Sequence, residues 1–369
     1  MTSSTAGSRH RARAFTAQAV SGPAGDVDAG RSPSTTAPEA AASDAPKTTV
    51  GSTSPGQAAP TSGVFVLLGP TASGKSELAL RLARWSTRRG RPAEIINADS
   101  MQVYRGMDIG TAKPTPAQQA EIPHHLIDGL ELDQTASVAD FQRLARQAIA
   151  DCHRRGVRPI VVGGSALYLR AITDRFEFPP QDPVRRSELE AELAAVGPAV
   201  LYQRLERLDP QAAAGILPGN GRRIVRALEA IAVTGAFRSQ LPPFEFALPR
   251  VRLVGLAWPR PQLDERIEQR VKAMWADGLL TEVAGLLERG LRQAPTAAKA
   301  IGYAQAIACL DGDLTPAEAQ QAIVTKTRQF ARKQLAWWRR DPRIVWCAAE
   351  PLLRHDVAGQ GGPDFLTAD

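Results

Sequence analysis

Residues Gly69-Pro70-Thr71-Ala72-Ser73-Gly74-Lys75-Ser76 match the pattern GxxxxGK[ST] without a mismatch. They lie between an apolar run, Val64–Leu68, and a helix-like segment, Lys75–Trp85. The setting matters as much as the letters. Glycines let the backbone curl so that successive N–H groups face one anion, and the following helix adds the positive end of its dipole. Lys75 then supplies a compact positive charge, and the Ser76 hydroxyl is placed to ligate Mg²⁺. A chance glycine- and serine-rich turn would lack the flanking strand and helix. The chain is therefore expected to hold a phosphate group at residues 69–76.

Strand-like runs recur at Glu94–Ala98 and Arg158–Val162, with a helix over Val138–Arg154 before the latter. Alternation of this kind predicts an α/β fold: a P-loop NTPase-like parallel sheet flanked by helices. From Asp174 to about Pro243 strand-like runs vanish, and helical segments such as Val184–Ala195 and Arg222–Val233 are separated by Pro and Gly. This reads as a small all-helical insertion over 174–247, between a first core part (61–173) and its completion (248–350). A short strand, Val251–Ala257, returns to the sheet, and helices follow at Leu263–Trp275, Leu279–Arg289 and Pro316–Arg339.

The ends read differently. Residues 1–60 are rich in Ala, Ser, Thr, Gly and Pro and offer too little apolar surface to offset chain entropy, so a disordered extension is expected there. The first twenty residues contain arginine and no acid, like a transit peptide. That reading weighs less than a dispensable extension. Residues 351–369 are expected to be a flexible tail. No run reaches the roughly 18 apolar residues of a membrane helix. Cys152, Cys309 and Cys347 are far apart and form no CxxC pair, which fits a reducing cytoplasm. The formal net charge is +7, of which residues 1–60 supply only +1, from five Lys/Arg and four Asp/Glu. A basic folded part is compatible with a polyanionic partner such as nucleic acid without requiring one.

A phosphate loop does not name a reaction. Nucleotide hydrolases usually pair it with an apolar strand ending in Asp. Here the run ends Val161-Val162-Gly163-Gly164-Ser165 with no acid, which argues against simple ATP hydrolysis. Asp99, after the strand Glu94–Ala98, is the best remaining acid.

Several further stretches settle the comparison: Asn97–Tyr104 running into Met107–Pro114, then Pro123–Asp128, Val162–Tyr168, Arg222–Glu229, Arg266–Val271, Ala300–Tyr303 and Thr327–Gln334. In this order they resemble the tRNA dimethylallyltransferases (tRNA isopentenyltransferases) of bacterial type, over about 61–345. The resemblance implies transfer of a dimethylallyl group from dimethylallyl diphosphate to the exocyclic amine of an adenosine adjacent to the tRNA anticodon. Diphosphate leaves, so the loop would cradle a leaving group.

Roles follow from that resemblance. Asp99 matches the general base, Arg270 a second cation for the departing diphosphate, and Thr71 a hydroxyl for the bridging oxygen. The bland alternatives are a turn aspartate and a snorkelling surface arginine. The family's tRNA contacts map onto Asp99, Ser100, Met101, Gln102, Ser165, Arg222, Arg223, Ile224, Val225, Arg226, Lys299, Ala300, Ile301, Gly302, Tyr303, Arg332, Lys333 and Arg339. Two of these groups also read as RNA-facing on composition: Arg222, Arg223 and Arg226 on one helix face, and the acid-free run from Arg328 to Arg340 with Phe330, Trp337 and Trp338. The adenine would be turned out of its stack to reach Asp99.

Departures are few. Ala304 follows Tyr303 where the family often has a cation, Ser165 stands where Thr is commoner, and no Cys/His zinc module follows the core. His124 and His125 receive no chemical role. Mg²⁺ is the expected cofactor, tRNA and dimethylallyl diphosphate the partners, and a monomer the expected state. Competing readings are an enzyme prenylating free adenine nucleotides, a small-molecule kinase, and a non-catalytic RNA-binding protein.

Overall fold

The computed structural model describes residues 63–135, 137–237 and 241–354, so the expectation for residues 1–60 lies outside them. Six strands form one sheet: β1 (Val64–Leu68), β2 (Ala93–Asn97), β3 (His124–His125), β4 (Arg158–Gly163), β5 (Val251–Ala257) and β6 (Ile344–Ala348). Their order is β3-β2-β4-β1-β5-β6, and every pairing is parallel. β1 and β2 are buried along their whole length, which explains why they read as unbroken apolar runs rather than alternating ones. Because all strands point the same way, the turns leaving β1, β2 and β4 emerge along one edge. That edge is where ligands of open parallel sheets bind.

Helices flank the sheet. α1 (Lys75–Arg88) packs Leu78, Leu82 and Trp85 against Phe65, Leu67 and Ile95 of the sheet. Each such side chain contributes roughly 1.5–3 kcal/mol when fully buried. α2 (Pro116–Glu121) opens with a capping box between Thr115 and Gln118. α3 (Val138–Arg154) has the predicted limits, with the Ser137 hydroxyl accepting the Asp140 N–H. α4 (Ala166–Thr173) leads to the helical segment.

That segment contains α5 (Pro183–Leu208), α6 (Pro210–Ala214) and α7 (Gly221–Thr234), packed around a core of their own that includes Leu189, Leu201, Leu205, Ile224 and Leu228. α5 runs well past Ala195, because the chain bends at Gly197 (φ 76°) and resumes at Pro198. The chain enters and leaves side by side: the Arg175 N–H donates to Glu245 O, and the Ala247 N–H to Thr173 O, both at 2.8 Å. Asp174, fully buried, clamps this neck. It accepts from Arg170 Nε at 2.9 Å and from both terminal nitrogens of Arg343 at 3.0 Å, and Arg343 stacks over Phe244 and Phe246.

The chain then runs through α8 (Arg260–Ala276), α9 (Leu279–Glu288), α10 (Tyr303–Leu310), α11 (Pro316–Trp338) and α12 (Ala349–Arg354). α12 corrects the tail expectation at residues 351–354, which are helical and hold α1 through Arg81 Nη1 and Leu353 O at 2.6 Å. No helix among the described residues is long and apolar enough to cross a membrane.

Candidate active site

The phosphate loop connects β1 to α1. Its curl uses the left-handed backbone region twice, at Gly74 (φ 84°) and at Ala72 (φ 63°). Glycine takes that conformation without strain, whereas an alanine needs outside support. Support comes from the outer side, where Arg266 Nε donates to Ala72 O at 2.9 Å and Trp258 Nε1 to Ser73 O at 3.0 Å. The Arg266 guanidinium lies 4.5 Å from the Trp258 ring centroid. The local motif contains none of this bracing; it follows from β5 ending beside β1.

Asp99 sits at the end of β2, next to the loop. The buried Asn97 fixes it: Asn97 Oδ1 accepts the Asp99 N–H at 2.9 Å, while Nδ2 donates to Asp99 O at 3.0 Å and Leu126 O at 2.9 Å. One Asp99 carboxylate oxygen also accepts the Met101 N–H at 2.9 Å. Asp99 is thus a turn-forming aspartate as well as a cavity residue.

A cavity of about 290 Å³ joins these groups, lined by Thr71, Lys75 and Ser76 on one side and by Asp99, Gln102 and Arg270 on the other. Lys75 carries the clearest electrostatic mark. Burial pushes its ammonium down to about 8, with Asp99 opposing and Arg270 adding to the shift. Burial likewise lowers the Arg270 guanidinium, and Asp99 counters it. Two cations and one carboxylate therefore face a common space, as an anion site with an adjacent base requires. Arg270 Nη2 also donates to Thr111 O at 3.4 Å, so it is aimed inward from α8.

The loop between Met107 and Pro114 is held from behind. Lys113 Nζ contacts Asp108 Oδ1 and Asp128 Oδ1 at 2.5 Å and Tyr104 O at 2.8 Å. Glu282 of α9 accepts the N–H groups of Asp108 and Ile109, at 3.0 and 2.7 Å. The Tyr303 hydroxyl donates to Glu282 at 2.6 Å; burial raises the Tyr303 pKa, and the Glu282 charge raises it further.

Several expected tRNA contacts need correction. Ile224 and Val225 lie in the core of the helical segment, because in α7 they fall on the inward face. Arg226 is not a free cation: it donates to Glu229 Oε2 at 2.8 Å and Pro179 O at 2.9 Å. Arg222 and Arg223 are exposed at the start of α7. Ala300, Gly302 and Tyr303 are buried, Ile301 is half-buried and Lys299 is exposed. In α11, Arg332 and Lys333 are exposed, as is Arg339 just after it; Phe330 borders the cavity, and Trp338 belongs to the core. Gln102 is buried, its amide donating to Thr111 O and Ala112 O at 3.2 Å. Ser100, Met101 and Ser165 are half-buried.

Among the described residues one His/Cys/acid group, Glu94, His125 and Cys152, brings ligand atoms within 4.8 Å of one another. Both Glu94 oxygens are already met by Arg155, at 2.6 and 2.7 Å, and Oε2 also by His125 at 2.7 Å, so it is an ion-pair hub joining β2, β3 and α3. For a hard divalent cation the fitting donor is the Ser76 hydroxyl, an exposed oxygen on the cavity wall beside the loop.

With this geometry in place, the likenesses to known proteins are specific. The family model described as IPP transferase matches residues 102–341. A tRNA dimethylallyltransferase of Thermobifida fusca is 55% identical over 77% of this chain and 89% of its own length. A second, from Kineococcus radiotolerans, is 53% identical over 79% and 92%. The crystal structure of a Bacillus halodurans tRNA isopentenylpyrophosphate transferase shares 35% identity over 83% of this chain and 95% of that one, with a TM-score of 0.57. A eukaryotic dimethylallyltransferase caught acting on tRNA aligns with a TM-score of 0.65 and 26% identity, over 81% of this chain and 76% of that one. The chain belongs to the tRNA dimethylallyltransferase family of prenyl-group transferases, on a parallel sheet of P-loop type.

Proposed function

We propose that this protein transfers the dimethylallyl group of dimethylallyl diphosphate to the N6 amine of the adenosine adjacent to the anticodon of tRNA. One observation carries the reading: the phosphate loop, Asp99 and Arg270 line the same cavity. The new bond forms between N6 and the allylic carbon, and the bond from that carbon to the bridging oxygen breaks. The proton lost from nitrogen passes to Asp99, and diphosphate leaves with the electron pair. The adenine amine is a weak nucleophile because its lone pair is delocalised, so a carboxylate in reach assists as the bond forms.

Charge accumulating on the leaving group is met by Lys75, Arg270 and the backbone N–H groups where the loop enters α1. The Thr71 hydroxyl is suited to donate to the bridging oxygen. Mg²⁺ held by Ser76 and the substrate phosphates would add further neutralisation. Arg222, Arg223, Lys299, Arg332, Lys333 and Arg339 supply exposed positive charge for the RNA backbone. The setting that fits is the cytoplasm, with the protein acting as a monomer.

The test uses labelled dimethylallyl diphosphate, Mg²⁺ and either an anticodon stem-loop or AMP as acceptor. Label in the stem-loop is the expected result. Label in AMP alone would reject the proposal in favour of free-nucleotide prenylation.

A further inference from the structure

The buried stripe of α11 runs through Thr327, Ala331, Gln334 and Trp338, and its longest polar side chain is Gln334. Gln334 is 8% exposed, yet it lies in the segment that resembles the family's RNA-contacting helix. Its side chain turns inward. Oε1 accepts the Thr71 N–H at 2.9 Å, and Nε2 donates to Gly164 O at 2.8 Å. One amide thus ties Thr71 of the phosphate loop to the turn leaving β4, across 263 and 170 residues of chain.

The fit is tight. A Cβ on Gly164 would sit 2.5 Å from Gln334 Nε2, so the neighbouring turn is shaped around this amide. The two backbone groups require one acceptor and one donor at a fixed spacing, which a primary amide supplies. Leucine would leave both unpaired in a buried place. Glutamate would keep the acceptor for Thr71 and set a second oxygen against Gly164 O.

We infer that Gln334 is a positioning residue for the transfer reaction: by holding the Thr71 main chain, it keeps the Thr71 hydroxyl aimed into the cavity at the bridging oxygen. The inference rests on the proposed function, and it reassigns Gln334 from the RNA side of α11 to the diphosphate side. α11 braces the opposite wall in the same way, through the Arg328 ion pairs with Glu268 and Asp264 of α8, the helix that carries Arg270.

The experiment is a double-mutant cycle of Gln334→Leu with Thr71→Ala. It reads single-turnover transfer to an anticodon stem-loop at saturating substrates, with the KM for the stem-loop measured alongside. Gln334→Leu is expected to slow transfer by roughly 10²-fold, since misplacing one group by about an ångström has that effect. The KM for RNA stays within about twofold, and on the Thr71→Ala background the same change adds less than about threefold. Additive losses in the cycle, or a loss carried in the RNA KM, would overturn the inference. Gln334→Glu gives an independent readout should the leucine variant fold poorly. Its rate relative to wild type rises as pH is lowered, because burial beside a carbonyl oxygen favours the protonated glutamate and the acid form regains a donor for Gly164 O. A flat ratio counts against the bridge. If wild-type protein transfers nothing to RNA, the functional proposal fails instead, so the two failures are distinct.

Discussion

Replacing Asp99 with asparagine separates two tasks of one side chain. The turn depends on an oxygen that accepts the Met101 N–H at 2.9 Å, and asparagine supplies that acceptor in the same place. What it lacks is basicity and charge. A positioned general base contributes about 10²–10⁴ in rate, so kcat falls by that factor, about 3–5 kcal/mol in the barrier. An alanine variant would confuse the result, because losing the turn hydrogen bond costs about 1 kcal/mol of its own. The ground state responds in the opposite sense. Asp99 partly offsets the charges of Lys75 and Arg270, and its neutralisation leaves both cations to the diphosphate. Binding of dimethylallyl diphosphate is therefore kept or tightened while turnover collapses. Rapid-quench transfer to an anticodon stem-loop gives the rate, calorimetric titration without RNA gives the affinity, and thermal melting controls for folding. An Asp99→Asn protein that melts normally and keeps more than about a tenth of the wild-type rate refutes the base assignment.

Two further outcomes concern stability. The Arg155 hydrogen bonds hold the Glu94 carboxyl down to about 2, with His125 contributing. Folding thus lowers this pKa, so the contribution is present above about pH 4.5 and is lost as pH falls towards 2. The shift sets a ceiling near 3 kcal/mol; screening at the half-exposed Arg155 reduces it to about 1–2 kcal/mol. Urea unfolding should show Glu94→Gln less stable by that amount at pH 7, with the gap falling by about half at pH 3; a gap independent of pH refutes the linkage. Asp174→Ala leaves the buried Arg170 without its carboxylate and is expected to destabilise the protein by about 3–5 kcal/mol, read as a lowered urea midpoint. A loss under about 1 kcal/mol would mean that the carbonyls of Pro242 and Pro243 suffice for Arg170.

The sequence made local, contiguous chemistry legible. The phosphate loop carries its own strand and helix, and Asp99 follows a strand that runs parallel to it, so both necessarily surface at one sheet edge. Helix limits came out well where a cap marks them, as at Ser137 before α3. β3, two residues long, is too short to display a period, and neither it nor β6 was foreseen. Contact residues taken as whole stretches were least reliable. A helix turns 100° per residue, so Arg222 and Arg223 face solvent while Ile224 and Val225 face the core. Asn97, Arg266 and Gln334 lie in the stretches that carry the resemblance but received no role, and Glu282 lies in none of them, since each acts on backbone groups that only the tertiary fold brings near. Arg226 was misjudged for a similar reason: its partner Glu229, one turn on, lies in the same quoted segment, but only the folded geometry shows the carboxylate buried against it.

The doorway between Thr173 and Ala247 has an architectural consequence. Since both crossings share a single hydrogen-bonded threshold, the helical cassette could be shortened, lengthened or exchanged without rerouting any strand. The hinge pin is not interchangeable, however. Asp174 belongs to the cassette by sequence and to the sheet domain by its two arginine partners, so any graft that omits an acid at this point strands a guanidinium inside the trunk.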